Sequence, residues 1–139
     1  MSDQYILTED HRVVPERDLF TWARWMEKAE RRVGYDMIGP FRVSTVFLGL
    51  DHDFVPSNHA REPLIFETMI FDHSREEHAF GRSYHAAFDF QRRYRTWDAA
   101  KSGHDYAVKL AKRMLRWTEF REARKKREVG ELKNLLEKS

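Results

Sequence analysis

The fold of this chain is decided by residues 41–53, FRVSTVFLGLDHD, together with residues 63–71, PLIFETMIF. Both runs are rich in β-branched and aromatic residues, and a polar, turn-forming segment separates them, which predicts an antiparallel pair of strands. In the first run Val43, Thr45 and Phe47 alternate with residues that point the other way, and both sets include apolar groups. We therefore expect this strand to lie in the centre of the sheet.

Shorter patterns on both sides predict the remaining strands. Residues 4–7 are apolar enough for a first strand, and residues 31–38 form a second strand that turns at Gly39-Pro40 into the central one. In residues 90–95 the positions Phe90, Arg92 and Tyr94 alternate with Gln91, Arg93 and Arg95, which is typical of an edge strand whose arginines discourage pairing with another sheet. The polar segment 72–89 between the last two strands is interpreted as a long loop.

Two helices complete the predicted elements. Pro15 favours the first turn of a helix over residues 16–30, in which apolar residues recur at helical spacing. Thr96 is a suitable N-cap for a second helix over residues 97–128. Gly130 is expected to interrupt this helix and to leave a last short amphipathic turn after it.

These elements predict an α+β fold with a mainly antiparallel sheet of four to five strands, packed by two helices and followed by a long C-terminal helical extension. We assign residues 1–111 to the sheet domain, with Pro63 at the start of its strand. Residues 112–139 form a basic helical extension. A helix over residues 97–128 would be about 45 Å long and strands measure about 20–30 Å, so its far end needs another partner or lies in water.

Composition narrows the cellular setting. The chain has 139 residues, which suits one domain, and it has no cysteine, which excludes disulfides and thiolate zinc sites and favours the cytoplasm. No run approaches the ~18 apolar residues of a membrane span, and no secretion signal is recognisable, so we expect no contact with a membrane. Residues 1–100 hold 13 Lys and Arg against 17 Asp and Glu, whereas residues 101–139 hold 12 against 6. The C-terminal part is therefore the basic part of the protein.

Three ordered motifs resemble those of a group of small proteins encoded by bacteriophages and prophages. They are VSTVFLGLDH from Val43, PLIFETMIF from Pro63, and RYRTWDAA from Arg93, the last followed by Gly103-His104. The resemblance spans about residues 5–111 and implies a phage-encoded protein in the host cytoplasm, without implying an activity. The histidine-rich segment 72–89 and the basic extension depart from the pattern, so we expect a particular function to reside there.

The candidates for chemistry in the scaffold are Asp51, His52 and Glu67. One nitrogen and two carboxylate ligands suit Mn, Fe or Zn, so a metal-dependent hydrolase or nuclease is one hypothesis. The alternative is structural: Asp51 and His52 hydrogen-bond the backbone at a strand end, and Arg93 or Arg95 neutralises Glu67. The structural alternative is favoured, and we predict no catalytic residue, no metal and no cofactor.

The histidine-rich segment offers a second candidate surface. His73, His78 and His85 lie five and seven residues apart, which places no two of them on one helical face as a zinc pair would require. Together with Arg82 they are predicted to contact a partner rather than a metal. His104, inside the second helix, is expected to pack against the sheet.

The extension interleaves cations with aromatic residues and offers the third surface. Its candidate partner-binding residues are Trp117, Phe120, Arg121, Arg124, Lys125, Lys126 and Arg127. Such a pattern suits a phosphate backbone, but Glu119, Glu122 and Glu128 oppose that field, which favours a protein contact. Helix pairing between two copies is the simplest cover for the aromatic residues, so we expect a homodimer.

We therefore expect a non-enzymatic phage accessory protein that binds a host or anti-phage-defence component. No nucleophile motif, phosphate-binding loop or metal motif of standard spacing supports an enzyme. The alternatives are the metal-dependent enzyme at Asp51, His52 and Glu67, and nucleic-acid binding by the basic helix.

Overall fold

A computed structural model of the chain describes residues 3–52, 62–75 and 85–139. The described residues form six strands and two helices, with consecutive antiparallel strands, which confirms the predicted α+β class. In chain order they are β1 (Tyr5–Leu7), β2 (Val13–Pro15), α1 (Leu19–Lys28), β3 (Arg32–Ile38), β4 (Phe41–Phe47), β5 (Phe66–Asp72), β6 (His85–Tyr94) and α2 (Trp97–Glu137), with a 3-10 turn at His73–Arg75.

The main sheet has four antiparallel strands in the order β3-β4-β5-β6. Each strand pairs with its neighbour in sequence, so Asp36 of β3 lies opposite Val43 of β4, and Val43 lies opposite Ile70 of β5. Strand β4 is central, as predicted from its two-sided pattern. The first two strands do not add to this sheet; β1 and β2 form a small two-stranded sheet of their own.

Helix α2 covers one face of the main sheet. The alternate residues Phe41, Val43 and Phe47 of β4 are buried on that face, and their neighbours in β4 are only partly buried. The helix presents small residues to them, among which Ala107 and Ala111 are fully buried. Small side chains let the helix backbone approach the strands closely, so the large residues of the core come from the sheet.

The first helix packs at one end of the sheet, and its start differs from the prediction. Pro15 does not open the helix; it ends β2, where it lies opposite Tyr5. Because proline has no N–H to donate, a strand end suits it as well as a helix start does. The helix begins at Leu19, and Trp22 Nε1 donates to the carbonyl oxygens of Tyr5 and Gly49, both at 3.1 Å. These two bonds attach α1 to β1 and to the chain just after β4.

Two strand boundaries also differ from the prediction. Pro63 lies before β5, which begins at Phe66. The segment 72–89 is not wholly a loop, because β6 begins at His85, which lies opposite Asp72 of β5. A register shift between Met69 and Phe71 accompanies this extra pairing. Backbone pairing with β5 therefore begins the strand five residues before the predicted start at Phe90.

Helix α2 is continuous for 41 residues, about 60 Å, and Gly130 does not interrupt it. A glycine inside a helix costs only about 1 kcal/mol relative to alanine, and the surrounding residues are good helix formers. The Thr96 side chain accepts a hydrogen bond from the Ala99 N–H, which confirms the predicted N-cap. Neither of the two helices in the described residues has the length and apolar character needed to cross a membrane.

Candidate functional site

A chain of four polar side chains crosses the interface between α2 and the main sheet. His104 Nε2 lies 2.7 Å from Asp36 Oδ2, and His104 Nδ1 lies 2.7 Å from Thr45 Oγ1. Thr45 Oγ1 in turn lies 2.6 Å from Thr68 Oγ1. The four residues come from β3, α2, β4 and β5, so this polar chain joins the helix to three strands.

The strand register places these residues. Thr45 lies directly opposite Thr68 in the β4–β5 pairing and opposite Gly34 in the β3–β4 pairing. The imidazole ring of His104 lies directly over Gly34, because a Cβ atom there would be 2.5 Å from His104 Cδ2. The absence of a side chain at Gly34 therefore makes room for the imidazole between helix and sheet.

The order carboxylate, imidazole, hydroxyl in Asp36, His104 and Thr45 is that of a hydrolytic triad. Thr45 and Thr68 are, however, completely buried, and His104 is almost completely buried. A nucleophilic hydroxyl must contact its substrate, and this one is covered by the helix. When His104 Nε2–H donates to the Asp36 carboxylate, Nδ1 is left to accept a hydrogen bond from the Thr45 hydroxyl. The arrangement therefore satisfies buried polar groups and fixes α2 on the sheet.

Sequence reasoning found one member of this polar chain and missed the other three. His104 packs against the sheet, as predicted. Thr45 and Thr68 lie in strands that the sequence identifies by their apolar and aromatic residues. Each is the polar residue at the middle inward-facing position of its strand, flanked by large apolar residues two positions away on both sides. That position is the signal in the sequence that indicates a buried hydroxyl pair.

The Asp51 side chain hydrogen-bonds the backbone at a strand end, as the structural alternative predicts, and His52 contributes a backbone hydrogen bond there. Asp51 Oδ1 accepts a hydrogen bond from the Leu64 N–H at 3.0 Å, and the His52 N–H donates to the Leu64 carbonyl oxygen at 2.9 Å. These bonds hold the chain after β4 against the residues that lead into β5. The Asp51 carboxylate therefore extends the strand pairing beyond the sheet.

Glu67 lies elsewhere, on the face of β5 that α2 does not cover. Its Oε2 accepts hydrogen bonds from Arg93 Nε at 2.9 Å and from Gln91 Nε2 at 2.7 Å, which confirms the arginine partner. Leu64, the partner of Asp51, is three residues before Glu67, a separation of about 10 Å in extended chain. In the described ranges no group of three or more His, Asp or Glu residues is arranged to hold a metal ion.

The histidine-rich segment is only partly described. His73 is half-buried in the 3-10 turn after β5, and its N–H donates to the Pro40 carbonyl oxygen at 2.8 Å. His85 is the first residue of β6, not a loop residue as predicted. His78 and Arg82 lie outside the described residues, so the predicted loop surface stays a prediction.

The described residues also line a cleft of about 460 Å³ beside the start of α2. His11 stacks on Trp97 there, with 3.7 Å between the ring centroids, and has a φ of 63°. The charges around the cleft balance, with three cations and three carboxylates: Arg12, Arg95, Lys101, Asp10, Glu62 and Asp98. The lining of the cleft therefore favours neither an anionic nor a cationic ligand.

From residue 116 onward the extension stands clear of the rest of the described structure. The last buried residue of α2 is Ala111, and the β3–β4 turn at Gly39 contacts Leu115. From residue 116 onward no residue is buried, and Trp117 and Phe120 are 67% and 59% exposed. The remaining predicted partner-binding residues are also exposed: Arg121, Arg124, Lys125, Lys126 and Arg127. The extension therefore presents both aromatic and cationic groups to solvent.

Phe120 lies in the middle of a row of arginines. Residues four and seven positions away on a helix lie on the same face, and those positions on both sides of Phe120 are all arginine. We call Phe120 and these four residues the arginine face; the four are Arg113, Arg116, Arg124 and Arg127, and all are exposed. The nearest acidic contact is from Glu128, whose Oε1 lies 3.3 Å from Arg124 Nε.

The chain matches no known protein-family model, no curated protein and no solved structure.

Proposed function

We propose that this protein is a non-enzymatic accessory protein, of the phage-encoded kind its motifs resemble, that binds a host or anti-phage-defence protein. It would act in the host cytoplasm, as a homodimer, with the arginine face as its partner-binding surface. The observation that carries this proposal is the arginine face itself, four exposed arginines around an exposed Phe120 on a helix that has left its own sheet.

The geometry of the extension supports a binding role. A helix that only supported the sheet would end near Leu115, where the contact with the β3–β4 turn lies. The helix continues instead to Glu137, about 33 Å further. Large exposed apolar side chains on such a segment are a liability unless another molecule covers them.

The chemistry of the arginine face predicts the chemistry of its partner. Arginine and aromatic residues are enriched among the residues that contribute most to protein interfaces. The planar guanidinium forms paired hydrogen bonds with carboxylates, and the flat ring of Phe120 fills an apolar depression. The expected partner surface therefore has an apolar depression surrounded by Asp and Glu residues.

The test is capture from phage-infected host cells with the tagged full chain. Arg124→Gln combined with Arg127→Gln should reduce recovery of the bound host protein at least about tenfold, because two charge-assisted contacts are lost. The matched control is Lys101→Gln combined with Lys109→Gln. It removes the same charge from exposed positions of α2 that lie beside the sheet. Equal recovery by both double variants, or no specific host protein, would refute the proposal.

Nucleic-acid binding is the second candidate, and one observation favours it. Glu119 and Glu122 lie on other sides of the helix from the arginine face, as their spacing from Phe120 shows. These two carboxylates therefore repel a phosphate backbone bound at the arginine face only weakly. A nucleic-acid partner requires affinity that falls steeply with salt and capture that nuclease treatment abolishes. A protein partner should survive nuclease treatment.

A further inference from the structure

A second face of the extension continues the sheet-facing side of α2. Eighteen residues make five complete turns of an α-helix, so residues eighteen apart point in the same direction. Val129 is therefore in phase with Ala111, Leu132 with Met114, and Leu135 with Trp117. Ala111 and Met114 pack against the main sheet. Val129 and Leu132 present the same side of the helix with no sheet beneath it.

We call this side of the extension the apolar face. Its large apolar residues are Trp117, Val129, Leu132, Leu135 and Leu136, and each is more than half exposed. At about 200 Å² for a fully exposed large side chain, they present on the order of 600 Å². Two such faces in contact would bury about 1,200 Å², which is the lower end of the range for specific protein interfaces.

The apolar face of one copy is complementary to the same face of a second copy that runs in the opposite direction. Apolar residues lie at both ends, and the turns between them carry Arg121 and Glu128. In an antiparallel pair of extensions centred between Arg124 and Lys125, Trp117 lies opposite Leu132 of the second copy. In the same register Arg121 lies opposite Glu128 of the second copy, and each of these contacts occurs twice by symmetry.

A parallel pair would be unfavourable. It would place Arg121 opposite Arg121 and Lys125 opposite Lys125 along a segment, residues 112–127, that holds eight Lys and Arg against two Glu. In the antiparallel pair residues 112–121, which hold four Lys and Arg, lie along residues 128–137 of the second copy, which hold three Glu and one Lys, and residues 122–127 lie along the same residues of the second copy. The ammonium groups of the two Lys125 residues, near the symmetry axis, can extend away from each other on their flexible stems.

We propose that two copies of this chain associate through the apolar faces of their α2 extensions, antiparallel and in this register. The inference specifies the dimer included in the proposed function, but it does not depend on a host partner. Phe120, Arg116 and Arg127 lie about 120–160° around the helix from Leu132, so they stay accessible in the dimer, whereas Arg124, seven residues after Trp117, lies at the border of the two faces. One extension would thus use one face for its own copy and the other for the partner.

The experiment uses the absence of native cysteine in the full chain. Lys125→Cys places a thiol beside the symmetry axis, so mild oxidation should produce a covalent dimer. Leu135→Cys places its two thiols about 30 Å apart along the helices, so it should produce none. A parallel pair would cross-link both variants, and that result would overturn the proposed register. Lys101→Cys is the control for random collision, because its position lies on α2 outside the extension.

Charge exchange provides a second measurement that needs no new thiol. Arg121→Glu alone and Glu128→Arg alone each create two like-charge contacts, so each should raise the dimer dissociation constant about tenfold or more. The double exchange should restore the native value, measured by light scattering across a concentration series. A monomeric native chain, or no restoration by the double exchange, would overturn the inference. These results require no host protein, so they are separable from failure of the capture experiment.

Discussion

The imidazole of His104 joins α2 to Asp36 of β3, an edge strand of the main sheet, through a distance of 2.7 Å between Nε2 and Oδ2. The two residues are 68 positions apart in the chain. The other ring nitrogen reaches Thr45 in the central strand, so one side chain ties the helix to two strands. Because α2 also carries the extension, this contact fixes the direction in which the extension leaves the domain.

Thr45→Val should destabilise the protein by about 1–3 kcal/mol, because it leaves His104 Nδ1 buried without a hydrogen-bond partner. Thr68→Val should cost less, since Thr45 keeps its bond to His104. Thr45→Ser is the control, because it retains the hydroxyl and should keep most of the native free energy of unfolding. Urea unfolding followed by tryptophan fluorescence measures all three. Equal stability of Thr45→Val and the native protein would show that the polar chain contributes nothing.

Two glycines should respond in opposite directions to alanine. A Cβ atom at Gly34 would lie 2.5 Å from the His104 ring, so Gly34→Ala should cost about 1–3 kcal/mol through overpacking. Gly130 has no atom within 4 Å of the corresponding position, so Gly130→Ala should gain about 0.5–1 kcal/mol in helix stability. Thermal unfolding measures the first effect, and circular dichroism at 222 nm on heating follows the second. The same sign of change at both positions would contradict the described packing.

Glu67→Gln distinguishes an ion pair from a catalytic carboxylate. Replacing the carboxylate that Arg93 and Gln91 contact should lower the free energy of unfolding by roughly 1–2 kcal/mol without affecting capture of the partner. A metal-dependent enzyme would instead lose turnover and a stoichiometric ion in this variant. Metal analysis of the native chain, alongside the capture experiment, decides between the two. A stoichiometric ion that disappears in Glu67→Gln would support the hydrolase alternative.

Alkaline pH should destabilise the protein through Tyr5. Burial, with smaller contributions from the carboxylates of Asp51 and Asp3, raises the pKa of Tyr5 above its ordinary value of 10.0. A raised pKa means that the folded state holds the phenolic proton more tightly than the unfolded state does. Stability is therefore fully present below pH 10 and falls as the pH rises through the folded-state pKa. Tyr5→Phe should remove this component of the alkaline loss, measured by urea unfolding between pH 8 and pH 11. If the free energy of unfolding of Tyr5→Phe fell with pH as steeply as that of the native protein, the result would contradict this prediction.

The central part of the fold follows from local sequence. Strands β4 and β5 place their buried residues at every second position, and a shift of one residue in register would move all of them to the other face. The Thr96 cap and the partner of Glu67 were also predictable, because an N-cap acts within three residues and an acid in an apolar strand requires a nearby cation. The predicted helix over residues 97–128 is already longer than the strands, but its end at Glu137 does not follow from the sequence, because Gly130 favours an interruption.

Other features depended on contacts that local sequence does not contain. Pro15 ends a strand because Tyr5 lies opposite it, and β6 starts at His85 because Asp72 offers it a partner. In both cases a backbone pairing with a distant segment outweighs the preference of the residue itself.

By itself the sequence determined the α+β class, the central strand pair and an amphipathic helix too long for its sheet, because each depends on interactions between residues close in the chain. Only the tertiary structure decided that Asp36, Thr45, Thr68 and His104 form one buried polar chain. Hydrogen bonds between groups 23 to 68 residues apart depend on strand register and helix position, which no short pattern specifies. The structure also showed where burial on α2 ends, at Ala111, and hence which helix faces are available for binding.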